Sequence, residues 1–208
     1  MKDIAMKDID RIPGERQDDP GALGIVVLCT ANVCRSVMAA ALLARRLSEL
    51  GVAAHVRSAG MLREGDPPHA EAISVMARYG DDIAGHRSRV VRAGDLARAG
   101  LVLAMARDSL RYAVVTEPGA WPRAFTLREL IRRGGRVGPR LPDEPFPGWL
   151  SRVHAGRQRV ALLGDSADDD VPDPAGGPLR AYADLAGLLD RSLTRLAELG
   201  WAHAGTHL

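Results

Sequence analysis

The residues with the clearest chemical potential lie in one short stretch, CTANVCRS, residues 29–36. It holds two thiols, Cys29 and Cys34, followed by an arginine and a serine. An apolar run, GIVVL, precedes the stretch, and an alanine-rich run, VMAAALLARRL, follows it. This order indicates a loop between a strand and a helix. Two interpretations are open: a nucleophile in an anion-binding cradle, or two buried thiols beside a surface charge.

A loop of this kind favours the first interpretation on physical grounds. Backbone N–H groups at a strand-to-helix turn face one point, and the helix dipole adds partial positive charge there. Such donors stabilise a thiolate at Cys29, and the fork of Arg35 can hold two phosphate oxygens. Ser36 can donate its hydroxyl to the thiolate. We therefore predict Cys29 beneath a phosphoryl group that is bound by Thr30, Ala31, Asn32, Val33, Cys34, Arg35 and Ser36.

The elements that must position this loop alternate along the chain. Apolar runs at 24–29, 54–60, 100–105 and 123–127 predict strands, and helical periodicity predicts helices at 37–50, 69–79, 109–116 and 177–199. The pattern predicts an α/β fold: a three-layer sandwich with a central four-stranded parallel sheet and the phosphate loop between the first strand and the first helix. Ligand sites in such sheets lie at the carboxyl ends of the strands, where this loop falls.

Composition narrows the functional classes. The formal net charge is +2, and the basic residues are almost all arginines scattered among acids, so we expect no nucleic-acid partner. No apolar run is long enough for a membrane span or a signal peptide, so we expect no membrane association and a cytoplasmic location. We expect residues 1–22 to form a polar, disordered tail before a single domain over 23–204. A Gly- and Pro-rich insertion at about 133–168, with a possible helix at 147–163, interrupts that domain.

The loop resembles the phosphate loop of the low-molecular-weight protein tyrosine phosphatases, whose pattern runs Cys, any, Gly, Asn, any, Cys, Arg, Ser. Four further stretches resemble that family in the same order: RSAGM (57–61), DIAGHRSR (82–89), LVLAMARDSL (101–110) and DDVPDPAGGP (169–178). The chain is thereby identified as a divergent member, and the resemblance implies a phosphomonoester hydrolase that acts through a phosphocysteine intermediate.

The resemblance also implies roles for single residues. Cys29 matches the nucleophile, Arg35 the phosphate-binding arginine and Asp173 the general acid, whereas Asn32, Ser58 and His86 match residues that fix the loop by hydrogen bonding. Cys34 matches a cysteine that can form a reversible disulfide with the nucleophile; burial as a small side chain is the alternative. The expected substrate is a phosphorylated protein, most of all phosphotyrosine, with inorganic phosphate as product and no cofactor or metal.

Four positions depart from the family pattern. Ala175 stands where an aromatic residue usually walls the substrate slot, Ala31 replaces a glycine, Val37 a proline and Ala106 an aspartate. If position 31 needs positive φ, alanine costs about 1 kcal/mol. Because the insertion carries Phe146 and Trp149, one hypothesis is that it folds over the site and supplies the missing wall. The simpler interpretation is a surface insertion.

Alternatives to a protein tyrosine phosphatase remain open at this point. An open slot would suit a small phosphorylated metabolite. A thiol-dependent arsenate reductase would use a similar loop, but relay versions need cysteines beyond Cys34 and the chain has none. A non-catalytic oxyanion-binding regulator would need neither Cys29 nor Asp173. The acidic run at 168–170 could suggest a metal site, although a solvated surface run is the favoured interpretation.

Overall fold

The computed structural model describes residues 21–201. The predicted tail at residues 1–22 lies almost entirely outside the described residues, and so do residues 202–204 of the predicted domain.

The centre of the molecule is a four-stranded parallel sheet of order β2-β1-β3-β4. The strands are β1 (Leu23–Leu28), β2 (Ala54–Ala59), β3 (Leu101–Ala104) and β4 (Ala124–Thr126). Strands β1 and β3 are central and nearly continuously apolar, as expected for strands that are covered on both faces. All four predicted strands are confirmed.

Within residues 21–201, seven α-helices cover the sheet. They are α1 (Arg35–Glu49), α2 (Ala70–Ala77), α3 (Ala93–Arg98), α4 (Arg107–Thr116), α5 (Leu127–Val137), α6 (Phe146–His154) and α7 (Leu179–Trp201). The predicted helices correspond to α1, α2, α4 and α7, with ends that differ by at most two residues. Helices α3 and α5 were not predicted. No helix within residues 21–201 is long and apolar enough to cross a membrane.

Two apolar clusters hold the layers together, one on each face of the sheet. The larger cluster joins β1 and β3 to α1, α2 and α7 through residues such as Val27, Leu43 and Leu189. The smaller cluster joins the opposite face to α3 and α4 through Leu96 and Leu110. A parallel sheet with buried faces on both sides is the three-layer arrangement that the strand and helix alternation predicts.

The middle of the segment predicted as an insertion, helix α6, packs against the rest of the domain. Helix α6 buries Trp149, Leu150 and Val153, and the Trp149 ring is fully buried. Its indole Nε1 donates to Gly138 O at 3.0 Å. The predicted helix at 147–163 is too long, because α6 ends at His154 and Gly156 takes a positive φ of 74°, which favours glycine and breaks a helix.

Candidate active site

Cys29 lies at the bottom of the loop between β1 and α1, with 3% of its surface exposed. Its Sγ is 3.0 Å from Ser36 Oγ and accepts a hydrogen bond from the Asn32 backbone N–H at 3.3 Å. Both groups can stabilise negative charge on the sulfur. Helix α1 begins at Arg35, so the positive end of its dipole lies at the same loop.

Asn32 is the centre of the loop's hydrogen bonding and is fully buried. Its Nδ2 donates to Ser36 Oγ and to Ser58 Oγ, both at 2.9 Å, and its Oδ1 accepts from the Arg89 backbone N–H at 3.0 Å. Asn32 has a φ of 58° and is the one non-glycine residue with positive φ among residues 21–201. Asparagine tolerates this region better than most residues, so the strained position is 32, and Ala31 does not carry it.

His86 supports the loop from outside. Its Nε2 lies 2.9 Å from the Asn32 backbone O, and because a carbonyl only accepts, Nε2 carries the proton. Burial lowers the pKa of His86 below its usual value, and Arg87 and Arg89 lower it further, while the bond to Asn32 opposes them. His86 does not line the cavity above Cys29, so it is not placed to act as a general base there. Asn32, Ser58 and His86 lie around the loop, and none of them is among the residues that line that cavity.

Gly60, in the second family-like motif, lets β2 approach the loop. A Cβ at this position would lie 2.9 Å from Thr30 O and 3.0 Å from the Ala31 carbonyl carbon. Both contacts are to backbone, which cannot swing away. Its motif alone assigned Gly60 no role. The signal that could have revealed one is a glycine that directly follows a strand beside the loop.

Arg35 and Asp173 meet across the mouth of the loop. Arg35 Nη2 is 2.5 Å from Asp173 Oδ2, and the arginine is 8% exposed whereas the Asp173 side chain is 47% exposed. Arg35 Nη1 also donates to Val171 O at 3.4 Å. The guanidinium is therefore fixed by groups that lie next to Asp173, and the carboxylate lies where it can reach a group bound above Cys29.

Cys34 is a buried thiol beside this site. It is 4% exposed, and its Sγ lies 3.8 Å from Met38 Sδ. Burial, with the charges of Asp173 and Cys29 adding to it, raises the pKa of Cys34 from 9.0 to about 12. Both cysteines are free thiols. The structure supports the buried-thiol interpretation of Cys34, and a disulfide with Cys29 stays a prediction.

A cavity of about 440 Å³ opens above the loop. Its lining comprises Cys29, Thr30, Ala31, Val33, Cys34, Arg35, Arg63, Asp66, Pro67, His69, Asp173 and Ala175. Seven of the predicted site residues are among them. Arg63, Asp66, Pro67 and His69 were missed, because they follow β2 in a loop with no motif of its own. His69 is held in place by Tyr182, whose hydroxyl oxygen lies 2.7 Å from its Nδ1.

The hypothesis that the insertion supplies an aromatic wall is wrong. Neither Phe146 nor Trp149 lines the cavity. Phe146 stacks on Trp201 with ring centroids 4.7 Å apart, and Trp149 packs against α5 and α7. Helix α6 buries its aromatic face in the core because that removes the larger apolar area from water. Phe146 and Trp149 therefore do not replace the aromatic side chain that Ala175 lacks at the edge of the cavity.

The interpretation of residues 168–170 as a solvated acidic run is also wrong for Asp169. This residue is 4% exposed. Its carboxylate pairs with Arg107 at 2.7 Å and with Arg132 at 2.6 Å. Buried carboxylates require such partners, but these arginines are 62 and 37 residues away in sequence, so the sequence run alone gave no sign of them.

Fold and loop together define a class: an α/β phosphatase with a cysteine at the carboxyl end of its first strand. The family model for low molecular weight phosphotyrosine protein phosphatases matches residues 24–146. The chain belongs to this family and is a cysteine-dependent phosphatase.

Named relatives and solved structures agree with this assignment. The chain is 30% identical over 175 residues to a protein-arginine-phosphatase of Geobacillus stearothermophilus, covering 84% of this chain and 93% of that one. It is 36% identical over 106 residues to the probable low molecular weight protein-tyrosine-phosphatase EpsP of Ralstonia solanacearum, covering 51% and 71%. The crystal structure of a low molecular weight protein tyrosine phosphatase from T. tengcongensis superposes with a TM-score of 0.64 at 30% identity, covering 85% and 99%.

Proposed function

We propose that Cys29 is the nucleophile, Arg35 the phosphate-binding residue and Asp173 the general acid and base of a protein phosphatase. The observation that carries this proposal is the convergence of the three side chains on one cavity, with the Cys29 sulfur 3.3 Å from a loop N–H and Arg35 paired to Asp173 at 2.5 Å. Asn32, Ser36, Ser58 and His86 hold the loop in shape.

The proposed reaction has two steps. The Cys29 thiolate attacks phosphorus, the bond from phosphorus to the ester oxygen breaks, and Asp173 donates its proton to the leaving oxygen. Water then attacks the phosphocysteine, Asp173 takes a proton from it, and the sulfur leaves as the thiolate with inorganic phosphate as product. Ser36, 3.0 Å from the sulfur, stabilises the thiolate at both ends of the cycle.

Before substrate binds, Asp173 occupies the fork of Arg35. A phosphate group carries more charge than a carboxylate and matches the fork bidentately, so substrate binding releases Asp173 toward the leaving oxygen. The exposure of its side chain, 47%, leaves room for this movement.

The proposed substrate is a phosphorylated protein side chain, with phosphotyrosine first. Around the mouth, Val33, Pro67 and Ala175 offer apolar contacts for a phenyl ring, and with alanine at position 175 one side stays open. Phosphoarginine is the second candidate, because Asp66 and Asp173 both line the cavity and can accept hydrogen bonds from a guanidinium. The names of the relatives support each candidate.

A cytoplasmic location is part of the proposal. A reducing compartment keeps a nucleophilic cysteine reduced, and both cysteines of this chain are free thiols.

The test is hydrolysis of p-nitrophenyl phosphate without added metal, with Cys29→Ser as the control that keeps the loop and removes the thiolate. We expect turnover that falls to background in Cys29→Ser and about 100-fold in Asp173→Asn. A phosphotyrosyl peptide, a phosphoarginyl peptide and a sugar phosphate are then compared by kcat/KM, and we expect the phosphotyrosyl peptide to lead. Equal activity of Cys29→Ser and the wild type would overturn the proposal.

A further inference from the structure

We propose that Asp169 is a positioning residue for the general acid, acting through a clamp that its buried carboxylate forms with Arg107 and Arg132. The inference rests on the proposed role of Asp173 and goes beyond it, because it assigns the placement of the acid to a carboxylate outside the cavity.

The clamp ties the segment before Asp173 to two helices. Asp169 Oδ2 accepts from Arg107 Nε at 2.8 Å, and Asp169 Oδ1 accepts from Arg132 Nη2 at 2.6 Å. Arg107 is the first residue of α4 and Arg132 lies in α5. The Asp169 side chain is 6% exposed and that of Arg107 is 19% exposed, so solvent screens their attraction weakly.

The two residues after Asp169 are hydrogen-bonded to the same part of the molecule. Asp170 Oδ1 accepts from the Arg107 backbone N–H at 2.8 Å. The Val171 N–H donates to Met105 O at 2.7 Å, directly after β3. Arg128 Nη1 donates to Asp170 O at 3.0 Å. Three consecutive residues, 169 to 171, are therefore fixed to the end of β3 and to α4 and α5.

Only Pro172 separates this fixed segment from Asp173. The Val171 carbonyl accepts a hydrogen bond from Arg35, and the φ angle of proline is restricted. The clamp therefore fixes the position of the Asp173 backbone. The carboxylate itself stays exposed and can move between Arg35 and a leaving group. A fixed backbone segment thus carries a general acid whose side chain can move.

The clamp also accounts for a departure from the family pattern. The resemblance places an aspartate at position 106, where this chain has alanine. Arg107, one residue later, reaches Asp169 and Asp170 from the same end of β3. In this chain a carboxylate on the Asp173 segment therefore binds an arginine after β3, beside the position where the family pattern has its carboxylate.

The test compares substrates whose leaving groups differ in their need for a proton. Phenyl phosphate expels a strongly basic phenoxide and depends on the general acid, whereas p-nitrophenyl phosphate depends on it less. We expect Asp169→Asn to lower kcat/KM for phenyl phosphate by about 10-fold and for p-nitrophenyl phosphate much less. Inhibition by inorganic phosphate, which reports the intact cradle, should stay within about two-fold of the wild type.

Two further variants separate positioning from general loss of structure. Glu129→Gln removes a partly buried carboxylate that pairs with Arg157 at 2.8 Å. Because the Glu129 side chain bonds to Arg157 and not to the segment that carries Asp169, this variant should not change the ratio of kcat/KM between the two substrates. Arg107→Lys keeps the positive charge and loses the guanidinium fork. It should lower kcat/KM selectively for phenyl phosphate, as Asp169→Asn does, but by a smaller factor. This variant keeps the test valid if Asp169→Asn folds poorly.

A double variant tests whether the loss of activity in Asp169→Asn arises through Asp173. If Asp169 acts through the acid, adding Asp169→Asn to Asp173→Asn should change the substrate ratio no further. An equal loss for both substrates in Asp169→Asn, or an additive loss in the double variant, would overturn the inference while Cys29-dependent turnover still stood. Absence of that turnover in the wild type would instead overturn the proposed function.

Discussion

At the scale of single residues, two cysteines five positions apart have opposite environments. Cys29 receives a backbone N–H at 3.3 Å and lies 3.0 Å from a hydroxyl, whereas Cys34 faces a methionine sulfur and apolar side chains. The loop's donors converge on the first sulfur because Asn32 turns the chain through a left-handed conformation. One loop thus separates a reactive thiol from an inert one.

This contrast predicts selective alkylation. Because the pKa of Cys34 is raised to about 12, its thiol stays protonated near neutral pH and reacts slowly, since only the thiolate is a good nucleophile. Iodoacetamide should label Cys29 and leave Cys34 unlabelled, as read by peptide mass spectrometry of the folded protein. Cys29→Ser is the control and should take up no label. Labelling of both thiols at similar rates would contradict the account of Cys34.

At the scale of elements, the close approach of β2 to the phosphate loop sets the shape of the site. Gly60 is required by contact distance alone, since it has no positive φ in the structure. The hydrogen bond from Asn32 to Ser58 holds the same two segments together, and the Arg89 backbone N–H, which donates to Asn32 Oδ1, attaches a third segment to the loop.

We therefore predict that Gly60→Ala damages the site and the fold together. The added methyl group would meet backbone atoms at 2.9 and 3.0 Å, so the loop must shift, and overpacking of this kind costs about 1–3 kcal/mol of unfolding free energy. Urea denaturation and kcat/KM for p-nitrophenyl phosphate measure the two effects. Gly85→Ala, whose Cβ would meet nothing within 4 Å, is the matched control; equal behaviour of the two variants would refute the steric argument.

Helix α6 stabilises the core and does not form the lid over the site that the sequence suggested. Trp149 is fully buried against α5, α7 and Gly138. We predict that Trp149→Ala lowers the unfolding free energy by about 3–5 kcal/mol while the folded fraction keeps KM for a phosphotyrosyl peptide within about two-fold. Chemical denaturation and steady-state kinetics test this. Leu163→Ala, at a side chain that is 69% exposed, should change neither quantity, and a large rise in KM for Trp149→Ala would restore the lid hypothesis.

At the scale of the whole molecule, the sequence determines the sheet and the chemistry better than the connections between them. The apolar runs of the strands and the CTANVCRS stretch are local signals. They correctly predicted the four strands and the loop between the first strand and the first helix. Helix α5, LRELIRRGGRV, was hidden by its two adjacent glycines, although Thr126 caps it by accepting from the Glu129 N–H at 3.1 Å. The inward face of α6 and the partners of Asp169 depend on residues far along the chain, so a linear pattern could not supply them.

Two histidines make the fold sensitive to acid. Burial, reinforced by neighbouring arginines, lowers the pKa of His86 and of His154 below 6.5. Below 6.5 the unfolded chain binds more protons at these rings than the folded chain, so the unfolding free energy falls as the pH drops through that value. The urea midpoint should decrease from pH 7 toward pH 5, and less so in His86→Gln, whose amide can still donate to Asn32 O. An unchanged pH slope in that variant would refute the assignment to His86.

The central claim is that phosphate passes through the Cys29 sulfur, and the direct measurement is detection of the phosphocysteine itself. Asp173→Asn should slow hydrolysis of the phosphocysteine more than its formation from p-nitrophenyl phosphate, whose leaving group depends less on the general acid. This variant is therefore mixed with p-nitrophenyl phosphate, quenched in acid during turnover and analysed by peptide mass spectrometry. We predict one phosphoryl group on the peptide that contains Cys29, absent when Cys29→Ala is added to the variant. Turnover with no phosphoryl group on Cys29, or with the group on another residue, would contradict the account.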